Sequence, residues 1–107
     1  MKIEEIREAI RAGIQVEYRY HAQERMVERD ITRSDVMECI FNGEIIEDYP
    51  LDENNTSEKS FPSCLILGYA SGNRPLHVVV GMKDWVMIIT VYIPDPNKWM
   101  PDNKTRR

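Results

Sequence analysis

Residues 63–93 read SCLILGYASGNRPLHVVVGMKDWVMIITVYI, and the fold turns on how this stretch divides. SCLILGYA (63–70) and LHVVVGM (76–82) are rich in β-branched and aliphatic residues and are separated by SGNRP, a Gly/Asn/Pro turn, so each is expected to be a strand. WVMIITVYI (85–93) follows after Lys83 and Asp84 alone. Its unbroken apolar character predicts a central strand covered on both faces. Upstream, EIIEDY (44–49) reads as one more strand ended by Pro50, and LDENNTSEKS (51–60) as an exposed, acidic, turn-forming loop.

Ahead of these strands the period is helical. Ile3, Ile6 and Ile10 recur at spacings of three and four and Gly13 follows, which predicts a short amphipathic helix. IQVEYRY (14–20) suits a bend or an extended link. HAQERMVERD (21–30) is made of good helix formers. A third helix has an N-cap in Thr32 with Asp35 three residues on, a hydrophobic staple in Ile31 and Val36, a stop at Gly43, and Val36, Met37, Ile40 and Phe41 as its buried stripe. Helices first and strands after predict an α+β domain, N-terminal helices packed on an antiparallel meander of about four strands. The Pro- and Asn-rich stretch from about 95 predicts an irregular end.

The 107 residues, 42% hydrophobic and 30% charged, make a single domain, 1–107, large enough for a core without disulfides or a structural metal. Cys39 and Cys64 are far apart and in no C-x-x-C pair, so neither a disulfide framework nor a zinc finger is signalled and a reducing cytoplasm fits. MKIEEIREAI has no apolar core, so it is read neither as a signal peptide nor as a membrane span. The net charge of −4 argues against gripping nucleic acid through bulk charge. The charge is uneven, however: residues 31–60 carry two basic against eight acidic side chains, and residues 61–107 carry six against three. The positive C-terminal part and selected arginines remain able to meet a polyanion.

If the two-residue connection at Lys83 and Asp84 is symmetric, residue numbers of partners sum to 167 and His77 lies opposite Thr90. Alternation then places His77, Val79, Thr90 and Tyr92 on one face, with Leu76, Val78, Val80, Ile89 and Val91 on the other. Across SGNRP, Tyr69 is expected to flank His77. On the second helix His21, Arg25 and Arg29 form one stripe beside Ala22 and Met26, which are expected to face the sheet. Two histidines, an arginine, a threonine and a tyrosine suffice for RNA cleavage without metal or other cofactor. A 2′-hydroxyl attacks the adjacent phosphate, one group removes its proton, another protonates the leaving 5′-oxygen, and guanidinium steadies the phosphorane. Arg29 and Lys98 are read as substrate-binding cations, and Tyr69 as a surface for a base.

Plainer readings compete. A strand histidine is commonly a hydrogen-bonded structural residue. The stripe with Glu17, Glu24 and Glu28 nearby is equally a solvated helix face, and Trp85 and Trp99 are most simply packing residues. His21, His77, Cys39 and Cys64 have no recognised metal-ligand spacing. A non-catalytic interaction domain, binding a partner through the open sheet face or the acidic loop, is the alternative from a different functional class.

HAQERMVERDIT (21–32), NGEIIEDYP (42–50), SCLILGY (63–69), RPLHVVVG (74–81) and TVYIPDPNKW (90–99), in this order, resemble the domain-of-unknown-function-4258 family of short bacterial proteins. That family is similar to RelE-like toxins of the wider barnase, EndoU and colicin nuclease group. The resemblance implies a RelE-like fold, a cytoplasmic endoribonuclease toxin acting on free or ribosome-bound RNA, and a cognate antitoxin, of which those with a YgiT-type zinc finger are one kind. It points to His21, Arg25, His77, Thr90 and Tyr92 as the catalytic set. His77 and His21 are assigned as base and acid, Arg25 to phosphate, and Thr90 with Tyr92 to positioning.

Overall fold

The computed structural model describes residues 1–49 and 61–107. The expected loop at 51–60 lies outside the described residues. Among them the chain forms three helices, α1 (Ile3–Arg11), α2 (Tyr20–Arg29) and α3 (Arg33–Asn42). Five strands make one sheet: β1 (Val16–Tyr18), β2 (Glu44–Tyr49), β3 (Ser63–Ala70), β4 (Arg74–Met82) and β5 (Val86–Tyr92). Their order is β1-β5-β4-β3-β2, with β2 to β5 an antiparallel meander and β1 parallel to β5. The expectation of about four strands is therefore corrected to five.

The added strand comes from the stretch read as a link. VEY is too short to show a period, but it covers the outer edge of β5, where the Val86 N–H donates to the Gln15 carbonyl and the Arg19 N–H to the Ile88 carbonyl. Left bare, that edge would expose a row of unpaired backbone groups.

The helices form where their local chemistry dictates. In α3, Thr32 and Asp35 exchange both bonds of a capping box at 3.0 Å, and the staple residues Ile31 and Val36 are buried. Asp35 also accepts from the Ser71 N–H and hydroxyl, and the Thr32 and Ser71 donors hold its carboxyl below the usual range. The inward stripe of α3 is Val36, Cys39 and Ile40, while Met37 and Phe41 are only partly buried, so Cys39 takes a place the sequence reading gave to them. A Cβ on Gly68 would stand 2.6 Å from the Cys39 Cα and Sγ, so the glycine allows α3 to lie against β3.

All three helices bury their apolar stripes on one side of the sheet. Ile6, Ala22, Met26, Val36, Cys39 and Ile40 meet Cys64, Ile66, Leu76, Val78, Val80, Val86, Ile88 and Val91 in one core. No helix among the described residues is long and apolar enough to cross a membrane.

The predicted register of β4 and β5 is wrong and is corrected. Met82 pairs with Val86, so the loop holds three residues rather than two, and a bulge between Val79 and Val80 adds one more step. His77 therefore lies opposite Tyr92, and Val79 opposite Thr90. The two steps together preserve the alternation, leaving His77, Val79, Thr90 and Tyr92 on one face. Beyond the bulge Ile88, not Ile89, joins the core side. Tyr69 pairs with Pro75, and it is Leu67 that flanks His77.

Residues 95–107 are not a loose end. They return over the face that the helices leave uncovered, with an isolated bridge between Trp99 and Arg106. Trp99 is buried against the His77 ring at 4.5 Å between centroids, and Arg106 makes two bonds to Glu47 of β2 at 2.7 and 2.8 Å.

Candidate active site

β1 leaves β5 after Ile88, and the chain turns at Arg19 into α2, which packs beside the remaining length of β5. Between α2, the end of β5 and the returning tail lies a cleft of about 490 Å³. Its walls are His21, Arg25 and Arg29 from α2, Thr90, Tyr92 and Ile93 from β5 and its end, and Asp95, Lys98, Trp99 and Arg106 from the tail. The four-residue spacing of the α2 trio puts them on one face. Ala22 and Met26, on the neighbouring face, are buried and anchor the helix to the sheet.

Six of the eight residues singled out in the sequence line this cleft: His21, Arg25, Arg29, Thr90, Tyr92 and Lys98. Tyr69 does not; it is half exposed and borders a separate depression with Ser34, Asp35 and Glu38. His77 is not a wall residue either. It is fully buried behind Tyr92 and Trp99. Its Nε2 lies 2.7 Å from the Asn103 carbonyl oxygen and its Nδ1 3.3 Å from the Tyr92 hydroxyl. Burial lowers the His77 pKa, more than the Asn103 carbonyl and Glu47 raise it. Burial thus favours the neutral imidazole, which packs behind Trp99 and is hydrogen-bonded to the cleft wall through Tyr92. His21 is its opposite, with a side chain 65% exposed and Nδ1 4.0 Å from Glu24.

The cleft is cationic although the chain is acidic. Arg25 is tied to Glu28 at 2.9 Å and Arg106 to Glu47, whereas Arg29 and Lys98 enter no ion pair among the described residues. Arg106 also stacks over the Trp99 ring at 4.5 Å. Its guanidinium, with the Tyr49 hydroxyl bonded to the same carboxylate, holds the Glu47 carboxyl down to about 2. Arg106, Trp99 and Asp95 were missed as site residues. For Arg106 the signal was the positive balance of the C-terminal part, which carried no indication of where the tail would fold; charge gave none for Trp99 or Asp95.

The cysteines are set apart from this chemistry. Both are buried on the helix side, and burial pushes the Cys39 thiol up to about 12 and the Cys64 thiol to about 11.

No curated protein and no solved structure matches the chain. A family model described as "Domain of unknown function (DUF4258)" matches residues 18–93. The matched span supplies α2 and β5 to the cleft and ends before the tail that closes it. With most of its length inside that match, from the last residue of β1 to the residue after β5, the chain belongs to the DUF4258 family.

Proposed function

We propose that this protein is a metal-independent endoribonuclease, the cytoplasmic toxin of a bacterial toxin–antitoxin pair, with a RelE-like arrangement of helices on an antiparallel meander. The observation that carries the reading is the cleft itself. It collects an imidazole, two hydroxyls and four cations in a chain whose net charge is −4. Cations gathered against the overall charge suit a polyanion, and arginines match phosphate oxygens in pairs. Thr90 and Tyr92 face this concentration of positive charge with hydroxyls able to accept or donate a hydrogen bond.

The placement of the histidines changes their assignment. Of the two histidines, His21, exposed on the wall, is the one able to exchange a proton directly with RNA. His77 is enclosed and acts through Tyr92. Arg25 and Arg29 hold the scissile phosphate and steady the charge of the phosphorane. Lys98 holds a neighbouring phosphate, and Thr90 positions the ribose.

The test is cleavage of an end-labelled RNA of mixed sequence by the full chain in excess EDTA, with ribosomes in a parallel reaction. The expected result is 2′,3′-cyclic phosphate ends and a loss of about a hundredfold in His21→Ala, the size of effect of one general acid or base. A folded protein that leaves RNA intact in both reactions removes this reading and returns the protein to the class of interaction domains.

A further inference from the structure

A carbonyl oxygen accepts hydrogen bonds and never donates, so the 2.7 Å contact between His77 Nε2 and the Asn103 carbonyl requires the hydrogen on Nε2. A neutral imidazole has one ring hydrogen, and Nδ1 is left with a lone pair. The 3.3 Å contact to Tyr92 is therefore the phenol donating to Nδ1. With its hydrogen turned toward His77, Tyr92 presents oxygen lone pairs to the cleft it lines.

The Asn103 carbonyl is presented by a built turn. The Asp102 carboxylate accepts from the Lys104 and Thr105 N–H groups at 2.9 and 3.0 Å and from the Thr105 hydroxyl at 2.8 Å. Asn103 itself adopts a left-handed backbone at φ 60°, a conformation asparagine tolerates. The Met100 N–H closes the turn on the Thr105 carbonyl, and Arg106 fastens it to Glu47.

Resting on the nuclease reading of the cleft, we propose that this C-terminal turn sets a proton relay. Asn103 fixes the tautomer of His77, and His77 draws the Tyr92 hydrogen so that the phenol oxygen meets the RNA 2′-hydroxyl as an acceptor. As the 2′-oxygen bonds to phosphorus, its proton passes to the Tyr92 oxygen, and the Tyr92 proton passes to His77 Nδ1. The bond from phosphorus to the 5′-oxygen breaks, and that oxygen takes a proton from His21, which begins the cycle as imidazolium. The product is a 2′,3′-cyclic phosphate, and no further reactant is consumed. His77 touches no RNA and is a positioning residue. The charge it gains forms among Tyr92, Trp99, Glu47 and Arg106, of which the Glu47 carboxylate favours it and Arg106 opposes it.

The experiment uses the full chain with ¹⁵N-labelled histidine. Long-range proton–nitrogen correlation at neutral pH is expected to show His77 neutral with its hydrogen on Nε2. Asp102→Ala, which loosens the turn without touching a wall residue, is expected to mix the tautomers and to lower RNA cleavage. Tyr92→Phe and His77→Gln are each expected to lose about a hundredfold, with no further loss in the double variant, because the two act in one step. Glutamine keeps a donor for Asn103 and an acceptor for Tyr92 but takes no proton, so full activity in His77→Gln overturns the relay. A hydrogen on Nδ1, or multiplicative losses in the double variant, overturns it too. If the unaltered chain cleaves no RNA, the nuclease reading and the relay fall together, while the spectrum still decides whether the tail sets the tautomer.

Discussion

On the helix side of the sheet, Ile66, Val78, Val80, Ile88 and Val91 are enclosed by apolar side chains from three helices. On the opposite side Leu65, Leu67 and His77 are just as buried, but His77 is enclosed by an irregular tail held by Asp102, Trp99 and the Arg106–Glu47 pair. The first side is built from non-directional contacts that add up over area. The second depends on a few directional bonds, each with one donor and one acceptor. The contrast teaches why the cleft forms where it does: close packing excludes water and charge, whereas a strand of bonded tail leaves hydroxyls, cations and a histidine at the border.

If that contrast holds, Ile66→Ala should give the largest loss, about 2–5 kcal/mol, since a fully buried side chain leaves a cavity that its neighbours cannot fill. Urea unfolding would read it as a lower midpoint at unchanged slope. Gly68→Ala should cost about 1–3 kcal/mol, because its methyl group meets the Cys39 Cα, which is α3 backbone, as well as the Cys39 Sγ. A neutral outcome in the same unfolding assay would show that α3 can retreat and that the helix side is less tightly built than described.

Hydrogen exchange sharpens the comparison from the other side. The Trp99, Met100 and Arg107 amides, bonded within the tail, should exchange through local opening at lower protection than the amides of Val78 and Val80. Equal protection would mean that the tail unfolds only with the sheet.

The smallest effect concerns pH. The Arg106 guanidinium lowers the Glu47 pKa from the ordinary 4.5 to about 2. A folded pKa below the unfolded one stabilises the protein above the unfolded value, and that gain is lost as pH falls from about 4.5 toward 2. Glu47→Gln should therefore unfold with a shallower pH dependence in that window. His77, whose folded pKa lies below the ordinary 6.5, costs stability as pH falls below that value, because the unfolded chain binds the proton more readily. His77→Gln should remove this higher step and leave the lower one.

Sequence and structure part at identifiable residues. SCLILGYA is a strand with the same ends in both, and the Thr32 cap, the Ile31–Val36 staple and the Gly43 stop of α3 stand where the pattern put them. These features depend on neighbours within a few positions, and such information is written in the order of residues. The shared face of His77, Thr90 and Tyr92 survived a wrong register only because the loop and the bulge shifted it by two residues. VEY carried too few residues to announce β1, and Cys39 was passed over because a small thiol does not mark a stripe.

By itself the sequence determined the cap, staple and stop of α3, the meander of β2 to β5, and the alternation of faces along β4. All of these follow from local propensity and from periods of 3.6 and 2. The fold alone decided that β1 stops short at Ile88, that α2 lies beside the rest of β5, and that the tail returns to enclose His77 and lend Lys98, Trp99 and Arg106 to the cleft. Those outcomes come from bonds between residues far apart in the chain, 59 positions between Arg106 and Glu47 and 71 between Val86 and Gln15. Which donor meets which acceptor at that range is set only when the whole chain has packed.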